Sequence, residues 1–167
     1  SGKMKEEYTD FELNIGPDGH ALAKSMEGEE LADISLEIPR VVQFTTKLIE
    51  NNKIDDDSLI RDFGKTLYDL IFPNRIRAHF KQTEAVARAY GQKIRIRLAI
   101  ENDMLARLPL EFIYREDTGY FFSINPDTVF SRFLNVAVPR DFMRRQHGPL
   151  HLLNIVSNPK DYRLAPL

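Results

Sequence analysis

Apolar and polar residues alternate near the start of the chain, as they do in strands with one solvated face. The alternation runs from Phe11 to Ile15 and, after the turn-forming residues 16–19, from His20 to Met26. Residues 27–29 interrupt it, and Ala32 to Ile38 form a third short alternating segment. The pattern predicts a small antiparallel meander with one face in water.

Helical spacing follows this meander. Apolar residues recur at intervals of three and four in segments 41–49, 59–71 and 76–90, which predicts three helices. Pro39 fits the start of the first helix, and Gly91 fits the left-handed position that ends the third.

The run Asp55-Asp56-Asp57 lies just before the second predicted helix. Aspartates at this place cap free amides and oppose the helix dipole. A calcium-binding loop is the sharper interpretation, but the glycine and the distal glutamate of such a loop are absent. The sequence therefore favours capping.

The pattern returns to β-structure at Lys93 to Ile100, which alternates along its whole length. A helical turn at Asp103 to Arg107 follows, and then two strands around Tyr120 to Ser123 and Val129 to Leu134. The outward face of the strand from Lys93 to Ile100 carries Lys93, Arg95 and Arg97. This cationic stripe fits either a phosphate or acidic-partner surface or a solvated strand face. We favour the solvated face, because no aromatic residues interleave to stack bases.

The last element of the pattern is Leu150 to Val156, which is apolar toward both faces except at His151 and Asn154. Such a run is typical of an inner strand of a parallel sheet. Parallel partners need crossovers of a dozen or more residues, and only eleven residues follow Val156. We therefore expect partner strands outside this chain, and a chain that is one part of a larger domain.

Composition narrows the functional classes. The 167 residues fit one domain, with 29% charged and 43% apolar residues, and the net charge of -2 gives no global attraction to nucleic acid or anionic membranes. The absence of cysteine excludes disulfides, thiolate metal sites and a cysteine nucleophile within these residues, and it fits a reducing cytoplasm. There are only four histidines and no His-Glu-x-x-His or His-x-x-Glu-His pattern, so we expect no metal or cofactor. His147 and His151 flank a basic linker, 139–148, where a lone histidine is more often structural or solvated than catalytic.

Several segments in the second half of the chain follow one another in a characteristic order. They are residues 95–98 (Arg-Ile-Arg-Leu), 106–114 (Ala-Arg-Leu-Pro-Leu-Glu-Phe-Ile-Tyr), 119–122 (Gly-Tyr-Phe-Phe), 130–134 (Phe-Ser-Arg-Phe-Leu), and the strand 150–156 with its loop Ser157-Asn158-Pro159-Lys160-Asp161. Together, residues Ile94 to Asp161 resemble the first half of a CHAT domain, a caspase-like domain. The meander and residues 67–73 also look like the region that precedes many CHAT cores. Leu110 departs from the family pattern, in which tryptophan is usual, and a packing position can be repacked.

This resemblance implies an α/β fold with an α+β N-terminal part: meander, about three helices, a β-segment, and the first parallel strand of an incomplete caspase-like sheet. We expect residues 1–92 to form the N-terminal region and residues 93–167 the first half of the CHAT domain. Family chemistry is that of a cysteine endopeptidase with a His-Cys dyad on later strands. Neither dyad residue can be assigned in this chain, so we expect no catalytic residue here and no activity from the chain alone. The alternative is a regulatory or protein-interaction module without peptidase activity.

Two sets of residues are candidates for a role in such a protein. Glu111 and Arg132 are charged residues within apolar segments, and we hypothesise that they pair and pin the outer β-segment to the core. Ser157, Asn158 and Asp161 leave the carboxyl end of the last strand, where ligands bind in open α/β sheets. The resemblance implies that this loop lines the substrate pocket; an Asx turn is an equally good interpretation of Asp161. The expected partners are the remainder of the CHAT domain, a protein substrate or regulator, and a second copy through an open sheet edge, but neither nucleic acid nor membrane.

Overall fold

A computed structural model describes residues 7–134 of the chain. Three strands are followed by three long helices and then by a segment of strands and short helical turns. The strands are β1 Tyr8–Ile15, β2 His20–Ser25, β3 Gly28–Asp33, β4 Lys93–Ile100, β5 Tyr114–Arg115, β6 Tyr120–Phe121 and β7 Thr128–Leu134. The helices are α1 Arg40–Glu50, α2 Asp57–Ile71, α3 Asn74–Ala89 and α4 Asp103–Ala106, with 3₁₀ turns at Leu110–Phe112 and Phe122–Ile124. The expected α/β class and all three long helices are confirmed.

Five strands form one sheet in the order β3-β2-β1-β4-β7. β1, β2 and β3 pair in antiparallel fashion, whereas β1 with β4 and β4 with β7 are parallel. Parallel pairing therefore begins with β1 and β4, and not at residues 150–156 as the sequence suggested. The physical reason is that residues 40–89, folded as three helices, provide the long crossover that parallel neighbours require.

The third strand of the meander differs from the prediction, which placed it at 32–38. β3 spans Gly28–Asp33 because a two-residue turn, Met26-Glu27, reverses the chain directly after β2. Gly28 has a φ of +115°, which glycine adopts without steric cost. Residues 34–38 are not a strand; Ile34 is buried, and the alternation after it reflects a surface connection whose Leu36 and Ile38 side chains pack against the core.

The helices pack on one face of the sheet, against the buried side chains of β1, β2 and β4. Aromatic rings form the centre of this core: Phe11 lies 5.1 Å from Phe80, and Phe72 lies 5.6 Å from Phe122, measured between ring centroids. The predicted boundary between residues 92 and 93 lies within this unit, since β1 and β4 are adjacent strands of one sheet.

The ends of the helices follow the sequence signals. The carboxylate of Asp56 accepts hydrogen bonds from the amides of Ser58 and Leu59, so capping by the aspartate run is confirmed. Gly91 has a φ of +66° after α3, as predicted.

The segment between β4 and β7 is less strand-like than predicted. The expected strand at 120–123 is reduced to β6, which pairs with β5, and a 3₁₀ turn follows it. This segment contacts α2 so closely that a Cβ on Gly64 would lie 2.3 Å from the carbonyl oxygen of Phe112. Glycine at position 64 is thus required by the approach of two backbones.

Candidate functional site

Glu111 and Arg132, which the sequence singled out as a pair, meet in the interior. The Nη1 atom of Arg132 lies 3.1 Å from each carboxylate oxygen of Glu111, and both residues are under a tenth exposed. Glu111 is held by the 3₁₀ turn after Pro109. Arg132 is in register with Leu98, so its side chain lies on the helical face of the sheet.

The guanidinium of Arg132 also serves the backbone between α4 and that 3₁₀ turn. Nη1 donates to the carbonyl of Leu108 at 2.9 Å, and Nη2 donates to the carbonyl of Ala106. Carbonyl groups at the end of a helix have no helical partner, and a buried one needs a donor. We call Glu111, Arg132 and these two carbonyls the anchor. It joins β7 to the segment before it.

The anchor has the character of a structural group and not of a catalytic one. Both oxygens of Glu111 accept from Arg132, and burial leaves no opening for a substrate.

A second buried ion cluster was not predicted from the sequence. Arg115, which is 2% exposed, donates to both oxygens of Glu84 at 2.6 and 3.0 Å and to Asp117 at 2.8 Å. Burial alone would lower the pKa of Arg115, but the hydrogen bond and charge of Glu84 outweigh it and raise that pKa. Burial likewise opposes ionisation of Asp117, and its bond to Arg115 with the charge of Lys81 nevertheless lowers the pKa of Asp117. The cluster holds β5 and β6 on α3.

No sequence signal pointed to this cluster, because Arg115 stands at the end of an apolar segment and is followed directly by the acidic residues 116 and 117. The partner, Glu84, is 31 residues away on an exposed-looking helix face, and no spacing rule connects the two. Tertiary packing alone brings them together.

Tyr68 lies beside the Arg115 cluster and has an unusual environment. Its ring faces the guanidinium of Arg77 at 4.6 Å and that of Arg115 at 5.8 Å, while its buried hydroxyl has no hydrogen-bond partner. Burial raises the pKa of Tyr68 to about 12, although both arginines oppose the rise. The shallow cleft over Tyr68 is lined by equal numbers of acidic and basic side chains, so it has no net charge to attract an ionic ligand.

Ser25 and His79 have the spacing of a nucleophile and base, with Ser25 Oγ 3.2 Å from Nε2 of His79. The same Nε2 lies 3.1 Å from the carbonyl oxygen of Gly28, which can only accept. Nε2 must therefore carry a proton and donate it, so it cannot take one from Ser25. This contact ties the β2–β3 turn to α3 and is not a catalytic dyad.

Asp18, His20 and Asp33 form an exposed group at the β1–β2 turn. Nδ1 of His20 lies 2.5 Å from Asp33 and Nε2 lies 3.3 Å from Asp18, so the two carboxylates bind opposite ring nitrogens and cannot converge on one ion. The hydrogen bond to Asp33 and the charge of Asp18 raise the pKa of His20. Within residues 7–134 no group of three or more His, Asp or Glu side chains could hold a metal.

Opposite charges face one another across the sheet on the side away from the helices. The strand register places them in one row, which we call the charged row: Arg97, Glu12, Lys24 and Glu29. Beside it, Arg95 donates to Asp10 at 2.6 Å. Opposite-charge neighbours stabilise a sheet by about 0.2–1 kcal/mol per pair. The cationic stripe of β4 is thus matched by acidic residues of the meander, which favours a solvated face over a phosphate-binding one.

The remaining candidates lie outside the described residues. These are the pocket residues Ser157, Asn158 and Asp161, the histidines His147 and His151, and the strand Leu150 to Val156. Across the described part of the chain, no helix is both long enough and apolar enough to cross a membrane.

Comparison with known proteins gives no match for this chain. No protein-family model matches the chain, and no curated protein and no solved structure matches it.

Proposed function

We propose that this chain is the non-catalytic N-terminal portion of a CHAT-domain, caspase-like cysteine endopeptidase. In this role it supports the fold of the peptidase, and the loop with Ser157, Asn158 and Asp161 lines the substrate pocket. Its partners are the remainder of the CHAT domain and a protein substrate or regulator. Its cysteine-free composition fits action in the cytoplasm.

The observation that carries the proposal is the anchor. Segments 106–114 and 130–134 resemble two distinct motifs of the CHAT pattern, and they occur in the family's order along the chain. Glu111 of the first and Arg132 of the second form a buried ion pair at 3.1 Å. A charged pair at this depth is costly unless both members are satisfied. A shared structural role explains why each motif includes a charge among apolar residues.

A second observation supports the same proposal. Segments 95–98 and 130–134 both belong to the motif series, and they form the adjacent parallel strands β4 and β7.

The proposal is tested with the complete protein encoded by the parent gene. We expect residues after Leu167 to include a strand ending in His-Gly and a later strand ending in a cysteine. The protein should then cleave peptides from a mixed-sequence library, and replacement of that cysteine by alanine should abolish cleavage while the protein stays folded. The present chain alone should cleave nothing.

The Asp161 side chain allows a sharper test of the pocket. Asp161→Asn in the active parent should weaken a preference for basic residues before the scissile bond, and Asp141→Asn, in the preceding linker, provides a matched control. Absence of a His-Cys pair in the complete protein would instead favour the alternative function, a regulatory or interaction module.

A further inference from the structure

The two edges of the described sheet differ in how they meet solvent. β3 forms one edge, with three acidic residues among its six, and four of those six positions are exposed. Charge on a short edge strand prevents further pairing. This edge has the features of a true end of the sheet.

The opposite edge, β7, lacks these features. Its Phe130 and Ser131 are 2% and 3% exposed although they lie on opposite faces of the strand. Its one charged side chain, Arg132, is turned inward and donates to Glu111 and to backbone carbonyls of the anchor. Strands that are buried on both faces and carry no outward charge belong to the interior of a parallel sheet. β7 therefore has the character of an inner strand.

The strand register shows which backbone groups of β7 point away from β4. The amide of Ile94 donates to the carbonyl of Asp127, and Ile94 is the register partner of Thr128. In a parallel ladder this directs the amides of Val129 and Ser131 toward β4 and those of Phe130 and Arg132 away from it. The outward amides are the donors that a further strand would use.

We propose that this edge of β7 binds Leu150 to Val156 of the same chain as the next parallel strand. That segment is apolar toward both faces, as an inner strand requires, and residues 135–149 provide fifteen residues for the crossover, above the minimum of about ten to twelve. A tethered segment has an effective concentration in the millimolar range, far above that of a second protein molecule in a dilute solution. The chain's own segment is therefore the favoured occupant over a second copy.

This inference concerns pairing alone and does not depend on the CHAT resemblance. It assigns one partner strand, β7, to residues 150–156. The parent could lack peptidase activity while the pairing held, or the reverse.

Hydrogen exchange measured by NMR on the full chain tests the proposal. The amides of Phe130 and Arg132 should exchange at least about a hundredfold more slowly than in an unfolded chain, at the same rate at two protein concentrations tenfold apart. Leu153→Pro should abolish this protection, whereas Leu153→Ile should keep it. The amides of Val129 and Ser131, which point to β4, serve as internal controls and should stay protected in every variant that folds.

Other outcomes would overturn the proposal. Fast exchange of Phe130 and Arg132 in the unmodified chain would mean an open edge, and protection that rises with concentration would mean pairing with a second copy. Protection that persists in Leu153→Pro would mean that another segment covers the edge. If Leu153→Pro fails to fold, NOEs in the unmodified chain between backbone protons of β7 and residues 150–156 decide the matter, and their absence rejects the pairing.

Discussion

Glu111 and Arg132 are 21 residues apart in sequence, yet the carboxylate of one lies 3.1 Å from the guanidinium of the other in the interior. Arg132 adds bonds to the carbonyls of Ala106 and Leu108, so one side chain closes the connection between α4 and β7. The pair is the point at which two apolar segments become one structural unit.

Removal of one member of this pair should cost much more than removal of both. Glu111→Gln leaves an arginine buried without its counter-charge, and we expect a loss of about 3–5 kcal/mol in the free energy of unfolding. The double variant Glu111→Gln, Arg132→Met should lose less than the sum of the single changes Glu111→Gln and Arg132→Met. Urea denaturation of the four members of this cycle measures the coupling.

An exposed pair provides the control for this cycle. Arg107 and Asp103 lie 3.3 Å apart with more than half of each side chain exposed, so Asp103→Asn should change stability by no more than about 1 kcal/mol. Equal effects of Asp103→Asn and Glu111→Gln would contradict a structural role for the anchor.

Gly64→Ala should destabilise the protein, although a change from glycine to alanine within a helix usually stabilises it. In a helix interior, alanine is ordinarily more favourable than glycine by about 1 kcal/mol. At position 64 the new Cβ would lie 2.3 Å from the Phe112 carbonyl oxygen and 2.6 Å from Cβ of Tyr114. We expect a loss of about 1–3 kcal/mol from overpacking. Gly16→Ala, whose Cβ would make ordinary contacts at 3.4 Å or more, should be nearly neutral, and a stabilising Gly64→Ala would show that α2 does not approach residues 112–114 so closely.

Tyr68→Phe should be neutral or slightly stabilising near pH 7, since the buried hydroxyl has no hydrogen-bond partner. Burial raises the pKa of Tyr68 to about 12, against about 10 in an unfolded chain. Between these values the unfolded state binds fewer protons, so stability falls as the pH rises. We expect the unmodified protein to lose on the order of 2–3 kcal/mol relative to Tyr68→Phe between pH 10 and 12.

Chemical denaturation at a series of pH values measures this difference. Tyr90→Phe is the matched control, because Tyr90 is 70% exposed, and its stability curve should coincide with that of the unmodified protein. If the free energy of unfolding changed equally with pH in Tyr68→Phe and in the unmodified protein, the hydroxyl of Tyr68 would have to be solvated.

Among the three consecutive aspartates, Asp56 alone should contribute a cap. Asp56→Ala removes the acceptor for the amides of Ser58 and Leu59 and should cost about 1 kcal/mol, whereas Asp56→Ser should retain most of that stability. Asp55→Ala, at an exposed position outside the helix, should have little effect. Thermal unfolding compares the three variants, and equal losses for Asp55→Ala and Asp56→Ala would argue for a general charge effect instead.

His20 should titrate above the ordinary histidine range. Its hydrogen bond to Asp33 and the charge of Asp18 raise the pKa of His20. The contribution of this interaction to stability is therefore fully present below the unfolded-state pKa of about 6.5, and it is lost as the pH rises through the folded-state pKa. NMR titration of the ring protons measures the shift, and Asp33→Asn should bring the pKa back toward its ordinary value. An unchanged titration in Asp33→Asn would leave Asp18 as the only partner.

Local patterns were sufficient for much of the fold. Spacing of apolar residues predicted α1, α2 and α3, and β4 matched its alternating segment from Lys93 to Ile100. Local interactions decide these features, because amphipathic spacing and capping act within a few residues. The error at 32–38 arose because a surface connection that packs every second side chain against the core has the same pattern as a strand.

Only part of the candidate site could be predicted from the sequence. A charge within an apolar motif indicated that Glu111 and Arg132 need partners, and each was the simplest partner for the other. The sequence could not identify the partnership of Arg115 with Glu84, because the two residues are 31 positions apart on different elements and no spacing rule connects them.

The three long helices, the strand β4 and the cap at Asp56 could be predicted without a structure, since short-range sterics and hydrogen bonding govern these features. The parallel pairing of β1 with β4, the charged row across the sheet and the contact of Gly64 with Phe112 became visible only in the folded protein. These contacts join residues dozens of positions apart. Their energies depend on packing and burial, which no local window of sequence contains.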